Sequence, residues 1–423
     1  MKEDFLQYLW KFQLFDRTAL KTTKQEVLQI VHPGIHNRDT GPDFFNAKIR
    51  ISGQLWAGNV EIHLKSSDWY LHRHEVDENY DAVILHVVWE DDSEIFMKNN
   101  QELPTLVLNG IVSGGLLRNY QKLTRTQEQW IPCESQIKEI DLFTWNSWME
   151  RLFVERLERK SKLIEGLLES SYNNWDAVLF MLLAKNFGLN KNGDAFLQLA
   201  QSISFSDLRK AAHDGESLQA LLFGQAGFLQ GHFDENYPNQ LKQEYAYLKK
   251  KLGLKLMRNN QFQFFRMRPS NFPTVRLAQL GSLYSKSQNL FASLLRCKSA
   301  LDFYTIFDIE VDEFWKTHYT LLKKSNRTHK KLTRSFIHLL IINTIIPLQF
   351  AYQKATGQRN VHGLMTLLES IPPEKNTITT KFKTLGVGVH HAFDSQSLIE
   401  LKNNYCDKKQ CLRCAVGNQL LKS

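Results

Sequence analysis

The periodicity of apolar residues changes once along this chain, and that change limits the folds it can adopt. Ala47–Ser52 and Ala57–Lys65 alternate apolar and polar residues with a period of two, which is typical of strands. Asp81–Trp89 is a continuous apolar run of strand length, and we expect it to be buried on both faces. From Asp141 onward the apolar residues recur at helical spacing. The sequence therefore predicts an α+β chain, in which a small α/β core is followed by a large α-helical body.

The distribution of charge indicates the same division. Residues 1–130 hold 18 acidic and 14 basic side chains, whereas the remainder holds 26 acidic and 39 basic ones. We predict an α/β domain over residues 1–135 and an α-helical domain with a basic surface over residues 136–423. The net charge of +9 is compatible with a polyanionic partner.

Composition and the absence of a clear targeting segment favour a cytoplasmic globular protein. Hydrophobic residues make up 43% and charged residues 23%, which excludes the disordered and collagen-like classes. The acidic, amphipathic start of the sequence predicts a helix and no signal peptide. The longest apolar run, Ile337–Ala351, is shorter than the ~20 residues that a membrane span needs. We expect this run to be a buried core helix, and we expect no membrane association.

The N-terminal part carries a candidate catalytic site. Asp43 precedes the first predicted strand, and Glu61, His63 and Lys65 lie on the second one. Residues two apart in a strand share a face, so these last three side chains are expected to point the same way. Two carboxylates suit a hard divalent cation, which polarises a phosphoryl oxygen and activates water. The pattern predicts that Asp43 and Glu61 hold Mg²⁺ or Mn²⁺, with His63 and Lys65 beside the ion to position or activate water.

This order of residues resembles the PD-(D/E)xK phosphodiesterases, the restriction-endonuclease-like nuclease superfamily. The resemblance covers residues 3–90, with Pro42-Asp43, a hairpin, Glu61-x-His63 on the next strand, then a helix and an apolar strand. It implies a restriction-endonuclease-like core and metal-dependent cleavage of nucleic acid. The family normally has a lysine where this chain has His63, and the nearest lysine is Lys65. The acid that the family sometimes adds from its first helix has two candidates here, Glu3 and Glu26.

The whole chain also resembles an uncharacterised bacterial family that is known only as a domain of unknown function. That resemblance implies no particular activity. The segments that carry it are GPDFFNAKI, VEIHLKSSDW, HRHEVDENYDAVILHVVW, RPSNFPTVRLAQLG and YCDKKQCLRCAVG.

The histidines are concentrated in the same N-terminal part. Six of the chain's 14 histidines fall between His32 and His86, far more than an even distribution would place there. His72, His74 and Asp77 lie on a helix predicted over residues 67–80, and we expect them close to Glu61. Imidazole together with carboxylate suits zinc or manganese, so a His/Asp metallohydrolase is an alternative interpretation. His86 lies inside an apolar run and is expected to be a hydrogen-bonded core histidine, not a ligand.

Three of the five cysteines stand together near the end, as Cys406-x4-Cys411-x2-Cys414. Thiolates at this spacing can converge on one metal ion, and the run also matches the plant-type [2Fe–2S] spacing, which needs a distant fourth cysteine. We therefore predict zinc or an iron–sulfur cluster at these residues. Some nucleases that resemble the PD-(D/E)xK group tie their core together with distant cysteines. The candidates for the fourth ligand are, in order of preference, Cys133, Cys297, and His390 or His391 in a zinc site.

A long acid-free stretch indicates a binding surface for nucleic acid. No Asp or Glu occurs from Tyr245 to Leu301, 57 residues that contain 11 Lys or Arg. Phenylalanines alternate with arginines in the middle of this stretch, although by themselves they are expected to be core residues. A groove that offers cations to phosphates and rings to bases is typical of single-strand binding. We predict salt-sensitive contacts to DNA or RNA from Lys249, Lys250, Arg266, Arg268 and Arg276, with Arg258 in the same stretch.

Together these features predict metal-dependent hydrolysis of phosphodiester bonds in nucleic acid. Two other classes stay open on the sequence alone. One is a non-catalytic nucleic-acid-binding or scaffold protein that keeps the nuclease fold. The other is the His/Asp metallohydrolase, acting on a small molecule.

Overall fold

The computed structural model of the protein is mixed α/β, with a sheet formed by N-terminal residues and a large helical body. The chain divides into two compact units, Met1–Trp148 together with Leu401–Ser423, and Met149–Glu400. Residues 401–423, which the sequence assigned to the helical domain, thus belong to the unit that contains the sheet. The residues that the structure describes are 1–37, 39–125, 129–255, 262–358 and 360–423.

The first unit is built around one six-stranded sheet. Its short 3-10 helices lie at Glu78–Tyr80, Ile137–Glu139 and Cys411–Arg413. Its first helices and its strands are α1 (Glu3–Phe12), β1 (Leu28–His32), β2 (Ile35–His36), β3 (Phe44–Ile51), β4 (Gln54–Lys65), α2 (Asp68–Leu71), β5 (Val83–Glu90), β6 (Thr105–Val107) and α3 (Gly114–Arg125).

The second unit is helical, and the boundary between the units falls within its first helix, α4 (Leu142–Ser170). A π-helical turn, Ile341–Ile345, and a 3-10 helix, Pro269–Asn271, lie in this unit, and a second π-helical turn, Lys402–Cys406, lies in the first unit. The helices after α4 are α5 (Trp175–Phe187), α6 (Leu189–Gln201), α7 (Phe205–Ala211), α8 (Gly215–Gln225), α9 (Asn236–Leu252), α10 (Pro273–Lys286), α11 (Leu290–Arg296), α12 (Ala300–Ile306), α13 (Glu313–Lys316), α14 (Arg334–Leu340), α15 (Ile346–Ala355), α16 (Val361–Glu369), α17 (Thr377–Thr384), α18 (Ala392–Leu401) and, back in the first unit, α19 (Ala415–Lys422).

The sheet has the strand order β1-β3-β4-β5-β6, and β2 also pairs with β3. β3 and β4 form an antiparallel hairpin, as the sequence predicts. Ser52 and Gly53 in its turn both have positive φ, 48° and 88°, which is the turn geometry that matches strand twist. β4 and β5 pair in parallel, and so do β5 and β6.

The helix predicted over residues 67–80 is much shorter in the structure. α2 has only four residues, because Arg73 adopts the left-handed region (φ 61°) and the N–H of His74 donates back to the carbonyl of Trp69. Turns and a short 3-10 helix complete the segment. Trp69 and Tyr80 are nevertheless buried in one apolar cluster. His72 and Val76 share the helical spacing of these two residues but are exposed, so the spacing predicted neither the whole buried face nor the backbone conformation.

β4 is covered on both faces where it passes the candidate site. The four consecutive residues Val60–His63 are all buried, whereas strict alternation predicts one core face and one open face. α1 and α2 both pack against this strand. The face that carries Glu61 and His63 is therefore interior, which changes the electrostatic environment of both side chains.

One helical stretch among the described residues, Arg334–Ala355, is apolar and long enough to cross a membrane by those two criteria. Within its most apolar window, 67% is buried inside the folded chain. Ile341 and Ile346 have no exposed surface. The buried core helix expected over Ile337–Ala351 agrees with this packing.

Candidate active site

The β3–β4 hairpin brings Asp43 beside Glu61. Phe44 pairs with Val60 in antiparallel strands, so Asp43, which precedes Phe44, is a neighbour of Glu61, which follows Val60. The backbone N–H of Asp43 donates to Glu61 Oε2 at 3.0 Å, and Asp43 Oδ2 accepts from the N–H of Ile62 at 3.2 Å. The two predicted metal ligands, far apart in the sequence, are therefore adjacent in the structure.

Helix α1 supplies two further polar side chains. Gln7 donates to Asp43 Oδ1 at 2.8 Å. Glu3, one helical turn earlier on the same face, interacts electrostatically with both Asp43 and Glu61. Glu26, the other candidate for a first-helix acid, instead accepts a hydrogen bond in a turn near β1. Of the two, Glu3 is the acid that the fold brings to the carboxylates.

Burial makes these acids difficult to ionise. Desolvation raises the pKa of Asp43 to about 7, and repulsion from Glu3 adds to the rise. Desolvation raises the pKa of Glu61 to about 9, and repulsion from Asp43 adds to it. Within the described ranges, no Lys or Arg pairs with either carboxylate, since the charge partners of Glu61 are imidazoles. The site is thus a buried acidic group without a permanent cation.

Imidazoles adjoin the carboxylates. Ligand nitrogens of His63, His72 and His74 all lie within 4.8 Å of one another. Glu61 Oε1 lies 3.4 Å from His63 Nε2 and 3.5 Å from His74 Nε2. His63 Nε2 also lies 3.2 Å from His72 Nδ1, and its Nδ1 lies 2.8 Å from His86 Nε2. Glu61 therefore connects the acidic half of the site to the imidazole half.

The buried imidazoles are neutral at physiological pH. Desolvation lowers the pKa of His63 to about 2, of His86 to about 3 and of His74 to about 4, and neighbouring imidazoles contribute in each case. A neutral imidazole is the form that binds a metal ion. In the described part of the chain, the buried Nε2 of His74 and Nδ1 of His86 have no hydrogen-bond partner. His72 is the exposed member of the cluster.

Lys65 and Asp77 lie outside this cluster. Lys65 Nζ lies 3.8 Å from Glu90 and 3.7 Å from Asp92, because β4 ends at Lys65 and the side chain turns towards these acids. Asp77 caps a 3-10 helix by accepting from the N–H of Asn79 at 2.9 Å. The structure therefore brings His63, and not Lys65, to the carboxylate pair.

The predicted nucleic-acid contacts belong to the second unit, and four of the five have some access to solvent. Arg268 is exposed, and so is Arg266, whose guanidinium lies 5.1 Å from the ring centroid of the exposed Phe265. Lys250 is exposed and Lys249 is half-buried, both in the last turn of α9. These four cations remain available for a polyanionic ligand.

Most of the interleaved phenylalanines are packing residues. Phe262 lies 5.0 Å from Phe228, and Phe264 lies 5.2 Å from Phe272, measured between ring centroids. Phe262, Phe264 and Phe272 are half-buried, so they pack against other rings but are not the core residues that the sequence predicted. Arg258 lies outside the described residues.

Arg276 is not a surface residue. Its side chain is only 6% exposed, and its guanidinium donates to Gln279 at 2.9 Å and to Asn271 at 2.7 Å. The guanidinium also stacks 3.6 Å from the ring centroid of Phe336, and desolvation lowers the pKa of Arg276 to about 10. The prediction that Arg276 contacts nucleic acid is therefore wrong, because its charge is satisfied inside the helical unit.

Four cysteines come together in the first unit. One cavity is lined by Cys133, Cys406, Cys411 and Cys414. Burial raises the pKa of the Cys133 thiol to about 12, and the nearby thiols of Cys414 and Cys411 add to the rise. Among the predicted fourth ligands, Cys133 is the one that joins the terminal three.

The other candidates for the fourth ligand lie in the second unit. The Cys297 thiol donates to the carbonyl of Ser293 at 3.3 Å, as an ordinary buried thiol does in a helix. His390 and His391 both donate through their backbone N–H groups to Asp394.

Two residues contribute to the carboxylate–imidazole site without having been predicted. Gln7 lies four positions after Glu3 on α1, and this helical spacing was the available signal. The ring of Tyr80 stacks on His74 with centroids 3.7 Å apart, and the only signal in the sequence was the helical spacing of Tyr80 with Trp69.

The fold and the site define a mixed α/β protein whose sheet carries a buried cluster of carboxylates and imidazoles. The chain belongs to the family described as "Protein of unknown function (DUF2851)", whose model matches residues 3–377. No curated protein and no solved structure matches the chain.

Proposed function

We propose that this protein hydrolyses phosphodiester bonds in nucleic acid, DNA or RNA, with Mg²⁺ or Mn²⁺ bound at Asp43 and Glu61. The observation that carries the proposal is the buried carboxylate pair, joined by Glu3, for which the described residues provide no Lys or Arg. Burying unpaired negative charge is costly, and a divalent cation offsets that cost directly. The neutral imidazoles beside the pair add ligands that suit Mn²⁺.

The order of the elements also supports this proposal. α1, the antiparallel hairpin of β3 and β4, α2 and the parallel strand β5 occur in this order along the chain, with the short strands β1 and β2 between α1 and the hairpin. This is the order that the resemblance to the restriction-endonuclease-like nucleases implies. Glu3 on α1, Asp43 before β3 and Glu61 on β4 fall at the places where that resemblance expects acids.

The geometry suggests a distinct role for each side chain in the proposed reaction. Asp43, Glu61 and Glu3 would hold the cation, which supplies Lewis acidity towards a phosphoryl oxygen and lowers the pKa of water. His63 is 1% exposed and both of its nitrogens face other imidazoles, so we assign it as a ligand or an orienting group. His72 is exposed and is the imidazole that can reach a substrate or a water molecule.

Binding of nucleic acid would rest on phosphate contacts. Arg266, Arg268 and Lys250 are exposed cations from the acid-free stretch, and Arg266 lies over the exposed ring of Phe265. Cations that neutralise phosphates release counterions, so binding weakens steeply as salt rises and depends little on sequence. A ring beside a guanidinium favours single strands, whose bases can stack.

The test compares Glu61→Gln with the matched variant Glu26→Gln. Both remove one carboxylate without changing side-chain size, but only Glu61 belongs to the cluster. Mn²⁺ affinity is measured by calorimetry, and cleavage is measured on single- and double-stranded DNA and RNA. We expect Glu61→Gln to lose about 10- to 100-fold in Mn²⁺ affinity, together with cleavage, and Glu26→Gln to behave as the wild type.

Two outcomes would contradict the proposal. Cleavage that survives in Glu61→Gln would place the activity elsewhere, or in a contaminant. A wild-type protein that binds Mn²⁺ and nucleic acid without cutting any of the four substrates would be a non-catalytic binding protein.

A second candidate function is favoured by the close approach of His63, His72 and His74. Three imidazoles and a carboxylate also suit zinc, so the site would serve a His/Asp metallohydrolase acting on a small molecule. Metal analysis separates the two proposals. One equivalent of zinc that is lost in His74→Ala, with hydrolysis of a small phosphoester but not of nucleic acid, would favour this second function.

A further inference from the structure

The cysteines that meet in the first unit come from two distant parts of the chain. Cys133 precedes α4, and the other three lie around the 3-10 helix Cys411–Arg413 and the start of α19. Every pair among the four thiols is close enough to interact electrostatically. Such convergence of four thiols on one cavity is typical of a metal centre, since one or two would suffice for packing.

The spacing of the sulfur atoms bears on which metal centre this is. Among the described residues, one group of three His, Cys, Asp or Glu side chains has all its ligand atoms within 4.8 Å of one another. That group is His63, His72 and His74, and it contains no cysteine. No three of the cysteine sulfurs therefore approach that closely. A tetrahedral zinc ion holds its thiolates about 3.8 Å apart, given Zn–S bonds of about 2.3 Å. Thiolates bound to different irons of a cluster stand farther apart.

Cys414 lies at the start of a helix. Cys414 is the N-cap of α19, so its side chain lies at the helix end where backbone N–H groups have no intrahelical partner. N–H donors and the positive end of a helix both stabilise a thiolate, and hydrogen bonds to sulfur set the potential of a cluster. A neutral packing thiol gains much less from these donors.

Close packing and nearby cations complete the site. A Cβ at Gly417 would lie 2.2 Å from the carbonyl oxygen of Cys411, so only glycine lets α19 approach this loop. Lys402 acts electrostatically on the Cys406 thiol, and Lys409 on the Cys411 thiol. Positive charge beside the ligands offsets the net negative charge of four thiolates around a cluster.

We propose that Cys133, Cys406, Cys411 and Cys414 ligate an iron–sulfur cluster that ties the C-terminal segment to the first unit. This centre is separate from the carboxylate–imidazole site, and it does not depend on the function proposed for that site.

The full-length protein, purified without oxygen and reconstituted with Fe²⁺ and sulfide, provides the test. We expect iron, acid-labile sulfide and visible charge-transfer absorption in the wild type, and at least a tenfold loss of bound iron in Cys133→Ser and Cys414→Ser. Cys297→Ser is the matched control and should retain the cluster. Glu61→Gln should also retain it, which distinguishes failure here from failure of the proposed hydrolase.

Gly417→Ala keeps all four thiols, so it tests the site even if a cysteine variant fails to fold. We expect it to bind less iron, because the added methyl group separates α19 from Cys411. The proposal would be overturned by one tightly bound zinc with no iron uptake, or by a disulfide between two of the four cysteines. Iron binding that survives in Cys133→Ser would overturn it as well.

Discussion

Glu61 has one carboxylate oxygen on each half of the site. Its Oε2 accepts from the backbone of Asp43, while its Oε1 faces His63 and His74. Removing this one charge therefore relieves repulsion among the acids and also removes the contact with the imidazoles. No other described side chain of the site links both halves in this way.

The raised pKa values of Asp43 and Glu61 predict that the metal-free protein loses stability as pH rises from about 6.5 to about 9. Below that range the buried imidazoles, whose pKa values are lowered, act in the opposite direction. The unfolded chain releases the protons of the two acids near the ordinary pKa values of 3.8 and 4.5, whereas the folded chain keeps them up to about 7 and about 9. The folded state thus binds more protons than the unfolded state. The stability that these two acids contribute is fully present below their pKa values in the unfolded chain, and it is lost as pH rises through their pKa values in the folded chain. Each unit of pKa shift corresponds to about 1.4 kcal/mol. Denaturant unfolding in EDTA across this pH range measures how the free energy of unfolding changes with pH.

Two comparisons make that measurement specific. Glu61→Gln should unfold with a shallower pH dependence, because one of the two titrating groups is gone. Saturating Mn²⁺ should reverse the trend at neutral and alkaline pH, since ionised carboxylates bind the cation. A metal-free stability that rises between about pH 6.5 and about pH 9 would contradict the assignment of these acids as buried and unpaired.

Arg268 and Arg276 show what a charge pattern can and cannot indicate about single residues. Both lie in the same acid-free stretch, and composition treats them alike. Arg268 is exposed, whereas Arg276 is buried on α10 against Phe336. A missing acid in the sequence does not mean a missing partner, because the amides of Asn271 and Gln279 can satisfy a guanidinium.

At the scale of elements, the close pairing of β4 with β5 depends on Gly58. A Cβ at this position would lie 2.4 Å from Ile84 Cγ2 and 2.5 Å from the carbonyl oxygen of Ala82. Gly58→Ala should therefore destabilise the protein by about 1–3 kcal/mol, since backbone has to move to admit the methyl group. Thermal unfolding and Mn²⁺ affinity measure the effect on the sheet and on Glu61, three residues further along β4.

Gly166→Ala is the matched control for that substitution. Nothing lies within 4 Å of a Cβ at Gly166, which is exposed in the interior of α4. Alanine there should raise stability by about 1 kcal/mol through helix propensity alone. If both substitutions changed stability equally, the close approach of β4 and β5 would not be the cause.

The segment after α2 shows why an element can be placed correctly and still be given the wrong conformation. Of the four residues at helical spacing, Trp69 and Tyr80 are buried, whereas His72 and Val76 are exposed. The backbone leaves the helix because Arg73 takes a left-handed conformation, which no periodicity of apolar residues encodes. That departure is what turns His74 back towards Glu61.

At the scale of the molecule, the C-terminal segment is part of the first unit. Val416, Leu420 and Leu421 of α19 are buried, and Asn119 of α3 donates to the carbonyl of Leu421 at 3.4 Å. Burying each such side chain contributes about 1.5–3 kcal/mol. Ending the chain after Cys414 should therefore lower the stability of the first unit by several kcal/mol.

Hydrogen exchange read by mass spectrometry localises that loss. Amides of the sheet and of α3 should exchange faster in the shortened chain, while those of α5, α8 and α10 should keep their protection. Leu420→Ala in the full-length chain is a milder control, with an expected cost of about 2–5 kcal/mol. Faster exchange confined to Met149–Glu400 would show that α19 does not stabilise the first unit.

The sequence by itself determined the hairpin, the buried strand after it, the change to helices and the buried run near Ile341. These features follow from local periodicity and turn chemistry, which act over a few residues. It also singled out Asp43, Glu61 and the cysteines as residue types with metal chemistry. Only the tertiary structure decided that Glu3 joins the acids, that Lys65 and Arg276 do not join their predicted sites, and that Cys133 completes the thiol cluster. The physical reason is that burial and long-range contact set the electrostatic environment of a side chain, and neither is encoded in its neighbours along the chain.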